Sequence, residues 1–236
     1  MITYLIWDAG GTLFDTYPAI VVAAREALQT FGKVAPPSTV LSGLFRQTTA
    51  YGLQILAQEF NLDLVALRAR FSAYYDAIGA AYQPPFPGVI EVCQYMLANG
   101  GQNFIVTHRE RESLQQLLAA YEMADYFSDA ITQEDDYPRK PDPLSLEILL
   151  ERYALPRETG LVIGDRPLDI QAGKGAGLRT CFFGAADPSV PADLQITAYA
   201  ELYRWLQQEN LVVKRETSNV KREASAMNVY LSNPGV

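Results

Sequence analysis

The chain is poor in cysteine, histidine and basic residues, and each shortage excludes a class of protein. It has two cysteines and one histidine among 236 residues, without the short Cys/His spacing of a zinc site. We therefore expect Cys93 and Cys181 to be isolated buried thiols. With 19 basic against 27 acidic residues, the formal net charge is −8. This balance argues against nucleic acid or an anionic membrane surface as the main partner.

Long apolar runs are also missing from the sequence. No run approaches the roughly 20 apolar residues of a membrane helix, and the first residues show no basic stretch followed by an apolar signal core. We therefore expect a cytoplasmic protein without a membrane partner. A hydrophobic content of 49% can form a substantial core at this length. One large domain, or one domain with an insertion, is expected, and a monomer is the default state.

The most informative segment lies near the start of the chain. The apolar run Tyr4-Leu5-Ile6-Trp7 leads directly to Asp8, which is followed by Gly10 and Gly11. This pattern is typical of a buried parallel strand whose carboxyl end faces a ligand crevice. Glycines there allow backbone N–H groups to approach an anion closely. The segment therefore predicts a nucleophile and an anion site together.

Three further motifs each follow an apolar run. They are Thr107, Lys140 before a helical pattern, and Asp165 with Asp169 after Leu161–Gly164. In this order the motifs resemble the haloacid dehalogenase-like hydrolase superfamily over most of residues 1 to 208, and its phosphoglycolate phosphatase-like branch in particular. The resemblance implies a Mg²⁺-dependent hydrolase that acts on a small phosphorylated metabolite.

The spacing of apolar residues predicts the fold. Residues 16–83 show only helical periodicity, prolines interrupt it at 84–87, and strand and helix patterns then alternate. Such alternation predicts an α/β fold with a doubly wound, Rossmann-like parallel sheet. The resemblance implies that the insert is a helical cap over the active site. We therefore predict a core of residues 1–15 and 84–208, a cap of residues 16–83, and a loosely attached polar tail at 209–236.

The resemblance also implies roles for the residues that would handle a phosphoryl group. Asp8 would attack phosphorus, because a carboxylate can form a covalent intermediate that divides one difficult displacement into two. Lys140 would neutralise developing charge, while the Thr107 hydroxyl and the backbone at Gly10, Gly11 and Thr12 would bind phosphoryl oxygens. A turn-capping carboxylate, a surface lysine and an ordinary strand-end hydroxyl are the structural alternatives.

A magnesium site is implied by the same motifs. Its ligands would be Asp8, the backbone carbonyl of Gly10, and Asp165, because a hard cation prefers oxygen ligands. Asp169 would orient the waters of the metal. A helix N-cap is the alternative role for Asp169.

One position departs from the family pattern. Phosphatase members carry a second Asp two residues after the nucleophile, which protonates the leaving group and then activates water, and here that position is Gly10. His108 could replace it, or could be a loop histidine bonded to backbone or water. Arg109 and Arg166 could clamp an anionic substrate or be solvated. Arg46 lies in a segment similar to one that faces substrate in related caps, or is a surface arginine.

Three functions are therefore compatible with the sequence. The first is a phosphatase that is slow or favours good leaving groups. The second is a phosphate- or metal-binding regulatory protein with little or no turnover. The third is cleavage of a carbon–halogen or carbon–phosphorus bond. The pair Asp165 and Asp169 argues against a metal-free dehalogenase, and Lys33, the only lysine of the insert, is a poor match for a Schiff-base lysine.

Overall fold

The computed structural model describes residues 1–210, and its centre is one parallel sheet. The strand order is β3-β2-β1-β4-β5-β6, which confirms the predicted doubly wound α/β class. The strands are β1 (Tyr4–Trp7), β2 (Gln102–Val106), β3 (Asp129–Ile131), β4 (Gly160–Gly164), β5 (Arg179–Phe183) and β6 (Leu194–Ile196).

Strand β1 occupies the middle of the sheet, and all four of its residues are buried. Helices on both faces of a parallel sheet explain why its sequence is continuously apolar. Trp7 lies opposite Ile105 of β2 and Ile163 of β4. The chain order reverses between β1 and β4, which is where open α/β sheets bind ligands. The residues that follow these strands therefore meet at one edge.

Within residues 1–210, five helices cover the two faces of the sheet. They are α5 (Val89–Ala98), α6 (Arg111–Ala120), α7 (Leu144–Arg152), α8 (Pro167–Gly175) and α9 (199–210). Leu5 and Trp7 pack with residues of α5, α6 and α9 on one face, whereas Tyr4 and Ile6 pack with residues of α7 and α8 on the other. Among residues 1–210, no helix has both the length and the apolar character to cross a bilayer.

Four helices between β1 and α5 pack together as one group, which we call the helical unit. They are α1 (Tyr17–Thr30), α2 (Ser38–Gln47), α3 (Thr49–Phe60) and α4 (Leu64–Ala77). The unit has its own apolar core, separate from that of the sheet, built around residues such as Leu28, Leu41 and Leu56. The division into cap and core stays a prediction. Of the predicted tail, residues 209 and 210 lie in α9, and the rest lies outside the described residues.

Candidate active site

Three carboxylates meet at the carboxyl edge of the sheet. Asp8 follows β1, Asp165 follows β4, and Asp169 lies in the first turn of α8. One oxygen of each lies within 4.8 Å of the other two, and all three residues are buried. The Asp8 N–H donates to the carbonyl of Ile163 at 2.9 Å. The in-register pairing of β1 with β4 therefore joins the first and last motifs of the sequence.

Two cations lie among these carboxylates. The buried Lys140 Nζ lies 2.5 Å from Asp8 Oδ1 and 2.5 Å from Asp169 Oδ1, and it donates to the Val106 carbonyl at 3.0 Å. The Arg166 guanidinium is 3.7 Å from Asp8 Oδ1 and 3.7 Å from Asp169 Oδ2. When every group is ionised, three acids against two bases give the buried cluster a net negative charge.

Burial and mutual repulsion shift the pKa values in the cluster. Burial raises the pKa of Asp8, although Lys140 opposes the shift. Burial, followed by the charge of Asp169, raises the pKa of Asp165 to about 7. Burial acts in the same direction on Asp169, but Lys140 and Arg166 outweigh it and hold its pKa below the ordinary value. The ionised form of the cluster therefore benefits from additional positive charge.

The cluster fits a hard divalent cation. Its three side chains offer carboxylate oxygens, which are ligands that Mg²⁺ prefers. Asp8 Oδ2 is buried and has no hydrogen-bond partner among the described residues. A buried acceptor without a partner is costly, and a bound cation would satisfy it. Asp169 Oδ2 also accepts from the Arg166 N–H at 3.1 Å, so this residue caps the start of α8 as well as facing the cluster.

The sequence predicts that backbone N–H groups of the glycine turn after Asp8 face an anion, and the structure differs from this prediction at Gly11. Gly11 has φ +86°, and a Cβ there would lie within 2.9 Å of both oxygens of Asp165, so only glycine fits. Its N–H donates to the Phe14 carbonyl at 2.8 Å and is therefore engaged within the turn instead of being directed at an anion. The buried Thr12 hydroxyl donates to Asp165 Oδ1 at 3.2 Å.

Asp8 borders a cavity of about 250 Å³ between the carboxyl edge and the helical unit. The predicted residues that also line this cavity are Gly10, Thr107, His108, Arg109 and Arg166. Arg46 instead lines a neighbouring cavity of about 810 Å³, where its guanidinium lies 4.7 Å from the centroid of the Tyr17 ring. The structure therefore places six of the twelve predicted site residues at one cavity and Arg46 beside it.

His108 has a structural contact in this site. Its Nε2 accepts a hydrogen bond from the Lys140 backbone N–H at 2.9 Å. Burial, with the nearby charge of Lys140 and Arg166, lowers its pKa to about 3. The imidazole is therefore neutral at pH 7, and its single proton lies on Nδ1, because Nε2 is the acceptor. This geometry favours the loop-histidine alternative over a general acid.

Arg109 joins the helical unit to the sheet side of the cavity. Its Nε donates to Ser113 Oγ at 3.0 Å, Nη1 donates to the Tyr75 hydroxyl at 3.1 Å, and Nη2 donates to Gln83 Oε1 at 2.9 Å. All three partners are neutral. These contacts give Arg109 a structural role, and its contact with substrate stays a prediction. None of the three hydrogen-bond partners carries a negative charge that would neutralise the guanidinium.

The sequence reasoning missed Tyr17. Its hydroxyl donates to Asp165 Oδ2 at 2.7 Å, and burial raises its pKa, so that it stays protonated as a donor. The residue lies in the helical insert, outside every motif. The one local signal is an aromatic side chain between Thr16 and Pro18, at the start of the first helix of the insert.

Comparison with known proteins identifies the family of this chain. Residues 5–183 match the family described as haloacid dehalogenase-like hydrolase. A phosphoglycolate phosphatase of Vibrio cholerae is 29% identical over 188 residues, which cover 75% of this chain and 81% of that protein.

Solved structures show the same fold. A hydrolase from Streptococcus pneumoniae TIGR4 superposes with a TM-score of 0.61 and 28% identity, covering 87% of this chain and 98% of that one. A structure from Haemophilus somnus, described as a predicted phosphoglycolate phosphatase, has a TM-score of 0.78 at 17% identity and the same coverage. The chain therefore belongs to the haloacid dehalogenase-like hydrolase family, and it is similar to proteins named phosphoglycolate phosphatase.

Proposed function

We propose that this protein is a Mg²⁺-dependent phosphatase of small phosphomonoesters and that Asp8 is its nucleophile. The observation that carries the proposal is the buried cluster in which Asp8 contacts Lys140 and lies beside Asp165 and Asp169, at the border of a cavity. A hydrolase family match and relatives named phosphoglycolate phosphatase support it.

The reaction would proceed in two displacements. An Asp8 oxygen attacks phosphorus, an O–P bond forms, and the bond to the leaving oxygen breaks. Water then attacks the phosphorus of the aspartyl-phosphate, the bond between Asp8 and phosphorus breaks, and inorganic phosphate leaves the regenerated carboxylate. Lys140, which already lies 2.5 Å from Asp8 Oδ1, neutralises charge between the nucleophile and the phosphoryl oxygens. The Thr107 hydroxyl, at the same edge, would donate to a phosphoryl oxygen.

Mg²⁺ would be held by Asp8, Asp165 and the Gly10 carbonyl, with Asp169 holding its waters. When bound, it supplies positive charge to the phosphoryl oxygens. The buried excess of carboxylates supports this assignment, since the pKa of Asp8 and that of Asp165 are both raised by burial.

The leaving group would depart without a strong general acid. Gly10 has no side chain to donate a proton, and the neutral His108 accepts the Lys140 N–H through Nε2. Proton transfer by a positioned acid is typically worth about 10² to 10⁴ in rate. Acyl and aryl phosphates, whose leaving groups need little protonation, are therefore the expected substrates of choice over alkyl phosphates such as phosphoglycolate.

Hydrolysis of p-nitrophenyl phosphate with Mg²⁺ by the native chain and by two variants tests this proposal. We expect turnover by the native chain, none by Asp8→Asn, and faster turnover by Gly10→Asp. The control is Asp63→Asn, because Asp63 is an exposed helix N-cap whose role asparagine fills equally well. Inactivity of both the native chain and Gly10→Asp would contradict the proposal.

A second candidate is a binding protein with a long-lived aspartyl-phosphate. The glycine at position 10 favours this second function. In related phosphatases the Asp at this position also activates water in the second step, so its absence would slow loss of the phosphoryl group from Asp8. Incubation with acetyl phosphate followed by mass spectrometry separates the two functions. A persistent gain of one phosphoryl group on the native chain but not on Asp8→Asn would favour the binding protein, whereas an unmodified mass with continuous phosphate release would favour the phosphatase.

A further inference from the structure

Both oxygens of Asp165 accept hydrogen bonds from hydroxyl groups. The Thr12 hydroxyl, from the loop after β1, lies 3.2 Å from Oδ1, and the Tyr17 hydroxyl lies 2.7 Å from Oδ2. The shorter hydrogen bond therefore comes from the helical unit. The Tyr17 phenol is neutral, so it orients the Asp165 carboxylate without neutralising its negative charge. A carboxylate needs that charge to bind a cation.

The Tyr17 side chain is itself held in place. It is buried at the first residue of α1, and its ring is covered by the Arg46 guanidinium of α2 at 4.7 Å. The ring lines both the 250 Å³ cavity that contains Asp8 and the 810 Å³ cavity that contains Arg46. Movement of α1 would therefore displace the hydroxyl from Asp165.

We infer that Tyr17 is a positioning residue that orients Asp165 for the divalent cation and thereby couples the cation site to the first helix of the helical unit. This inference rests on the proposed function. A carboxylate that binds a metal is typically oriented by outer hydrogen bonds, and loss of one commonly weakens metal affinity about 10- to 100-fold. Here the residue that donates this outer hydrogen bond belongs to the helical unit, whereas Asp165 follows a strand of the sheet.

Cation affinity in the absence of substrate tests the positioning role. The full chain is titrated with Mn²⁺, and the free ion is counted by its electron paramagnetic resonance signal. We expect Tyr17→Phe to bind Mn²⁺ about 10- to 100-fold more weakly than the native chain. Tyr4→Phe is the matched control, because it removes another buried tyrosine hydroxyl, one that donates to the Pro156 carbonyl at 3.0 Å. Its Mn²⁺ affinity should equal that of the native chain.

Each other outcome has a definite meaning. Equal affinity in native chain and Tyr17→Phe would overturn the inference and leave the proposed function intact. Failure of the native chain to bind Mn²⁺ would overturn both. If Tyr17→Phe does not fold, Arg46→Ala replaces it, because Arg46 is exposed. Loss of its contact with the ring should weaken binding about 2- to 5-fold, and an unchanged affinity would overturn the inference.

Hydrogen exchange tests the coupling separately. Mg²⁺ should slow amide exchange in α1 of the native chain, because cation binding stabilises the carboxylate to which the helix is bonded. In Tyr17→Phe, at a Mg²⁺ concentration that saturates the variant, this slowing should be lost. If Mg²⁺ slows amide exchange in α1 equally in the native chain and in Tyr17→Phe, the Tyr17 hydroxyl does not couple the cation site to α1.

Discussion

At the scale of the residue, Gly10 determines what this site can do. A Cβ at this position would lie 3.3 Å from Thr16 Oγ1 and 3.7 Å from Thr16 Cγ2, and the glycine does not have a positive φ. An aspartate can therefore be accommodated there after a shift of a few tenths of an ångström. The absence of an acid from this position is thus a property of this sequence and not a steric requirement of the turn.

The first prediction concerns the leaving group. Gly10→Asp should raise kcat for phosphoglycolate by about 10² or more, and that for acetyl phosphate much less, because only the alkoxide leaving group needs a proton. Steady-state kinetics on both substrates measures the difference. An equal gain on the two substrates would mean that the introduced carboxylate acts in the second step or on binding, and not as the missing acid.

The second prediction concerns His108 and acid stability. The pKa of His108 is about 3 in the folded chain against an ordinary value of 6.5, so the unfolded chain binds more protons between these values. The contribution of the neutral imidazole to stability is therefore present above about pH 6.5 and is lost as the pH falls. We expect this residue to reduce the free energy of unfolding by about 1–2 kcal/mol between pH 7 and pH 5.

Urea unfolding of the native chain and His108→Gln at several pH values measures this effect. Glutamine can still accept the Lys140 N–H but does not titrate, so the loss of stability on acidification should be smaller in the variant by that amount. The carboxylates of the cluster are present in both proteins, and their contributions cancel in the comparison. Parallel pH profiles would contradict the lowered pKa of His108.

At the scale of the element, the contact between α2 and α3 shapes the wall of the cavity. A Cβ on Gly52 of α3 would lie 2.7 Å from the ring of Phe45 in α2. That ring stacks on Phe71 with centroids 5.6 Å apart, and both rings line the cavity that contains Asp8. Gly52 therefore allows the two helices to approach closely enough for the aromatic wall to form.

The third prediction compares two helical glycines. Gly52→Ala should destabilise the chain by about 1–3 kcal/mol, because the added methyl group overpacks a buried contact. Gly43→Ala is the control, since Gly43 lies in α2 with nothing within 4 Å of its Cβ position, and alanine there should stabilise by up to about 1 kcal/mol. Chemical denaturation of both variants measures the two effects. Equal stability of the two variants would rule out overpacking at Gly52.

At the scale of the whole molecule, Arg109 connects the helical unit to the sheet. Its guanidinium contacts Tyr75 of α4, Ser113 of α6, and Gln83 in the segment between the helical unit and α5. Arg109 and Ser113 lie on the sheet side, so this side chain connects that side to residues 26 and 34 positions earlier in the sequence. A backbone hydrogen bond also joins the two segments that flank the helical unit, because the Asp15 N–H donates to the Pro84 carbonyl at 2.8 Å.

The fourth prediction tests this connection. Arg109→Met should accelerate amide exchange at the carboxyl end of α4 by about 10-fold or more, because its hydrogen bonds to Tyr75 of α4 and to Gln83 in the segment after α4 are lost. Arg111→Met is the matched control, since Arg111 pairs with Asp135 at 2.7 Å and both residues lie on the sheet side. Exchange in α4 should not change in that variant. Acceleration by both variants, or by neither, would contradict a specific role of Arg109.

The sequence by itself determined the features that depend on local pattern. A continuously apolar β1 requires burial on both faces, and the polar residues after β1, β2 and β4 share one edge because parallel strands end together. Asp8, Thr107 and Asp165 could therefore be expected at one edge, and their order in the chain carries the family resemblance that assigned them to one site. Lys140 and Asp169 were assigned through the family resemblance, and the structure places both in the same cluster.

Only the tertiary structure decided which partner each polar group takes. Tyr17 bonds to Asp165, His108 accepts from Lys140, and the Gly11 N–H is engaged by Phe14. Arg109 joins helices that have no common sequence pattern. These contacts depend on how the helical unit packs on the sheet, and hydrophobic periodicity sets which face of a helix is buried without setting what a polar side chain on it will meet. For that reason, the position of the site follows from sequence, whereas its hydrogen bonds follow from packing.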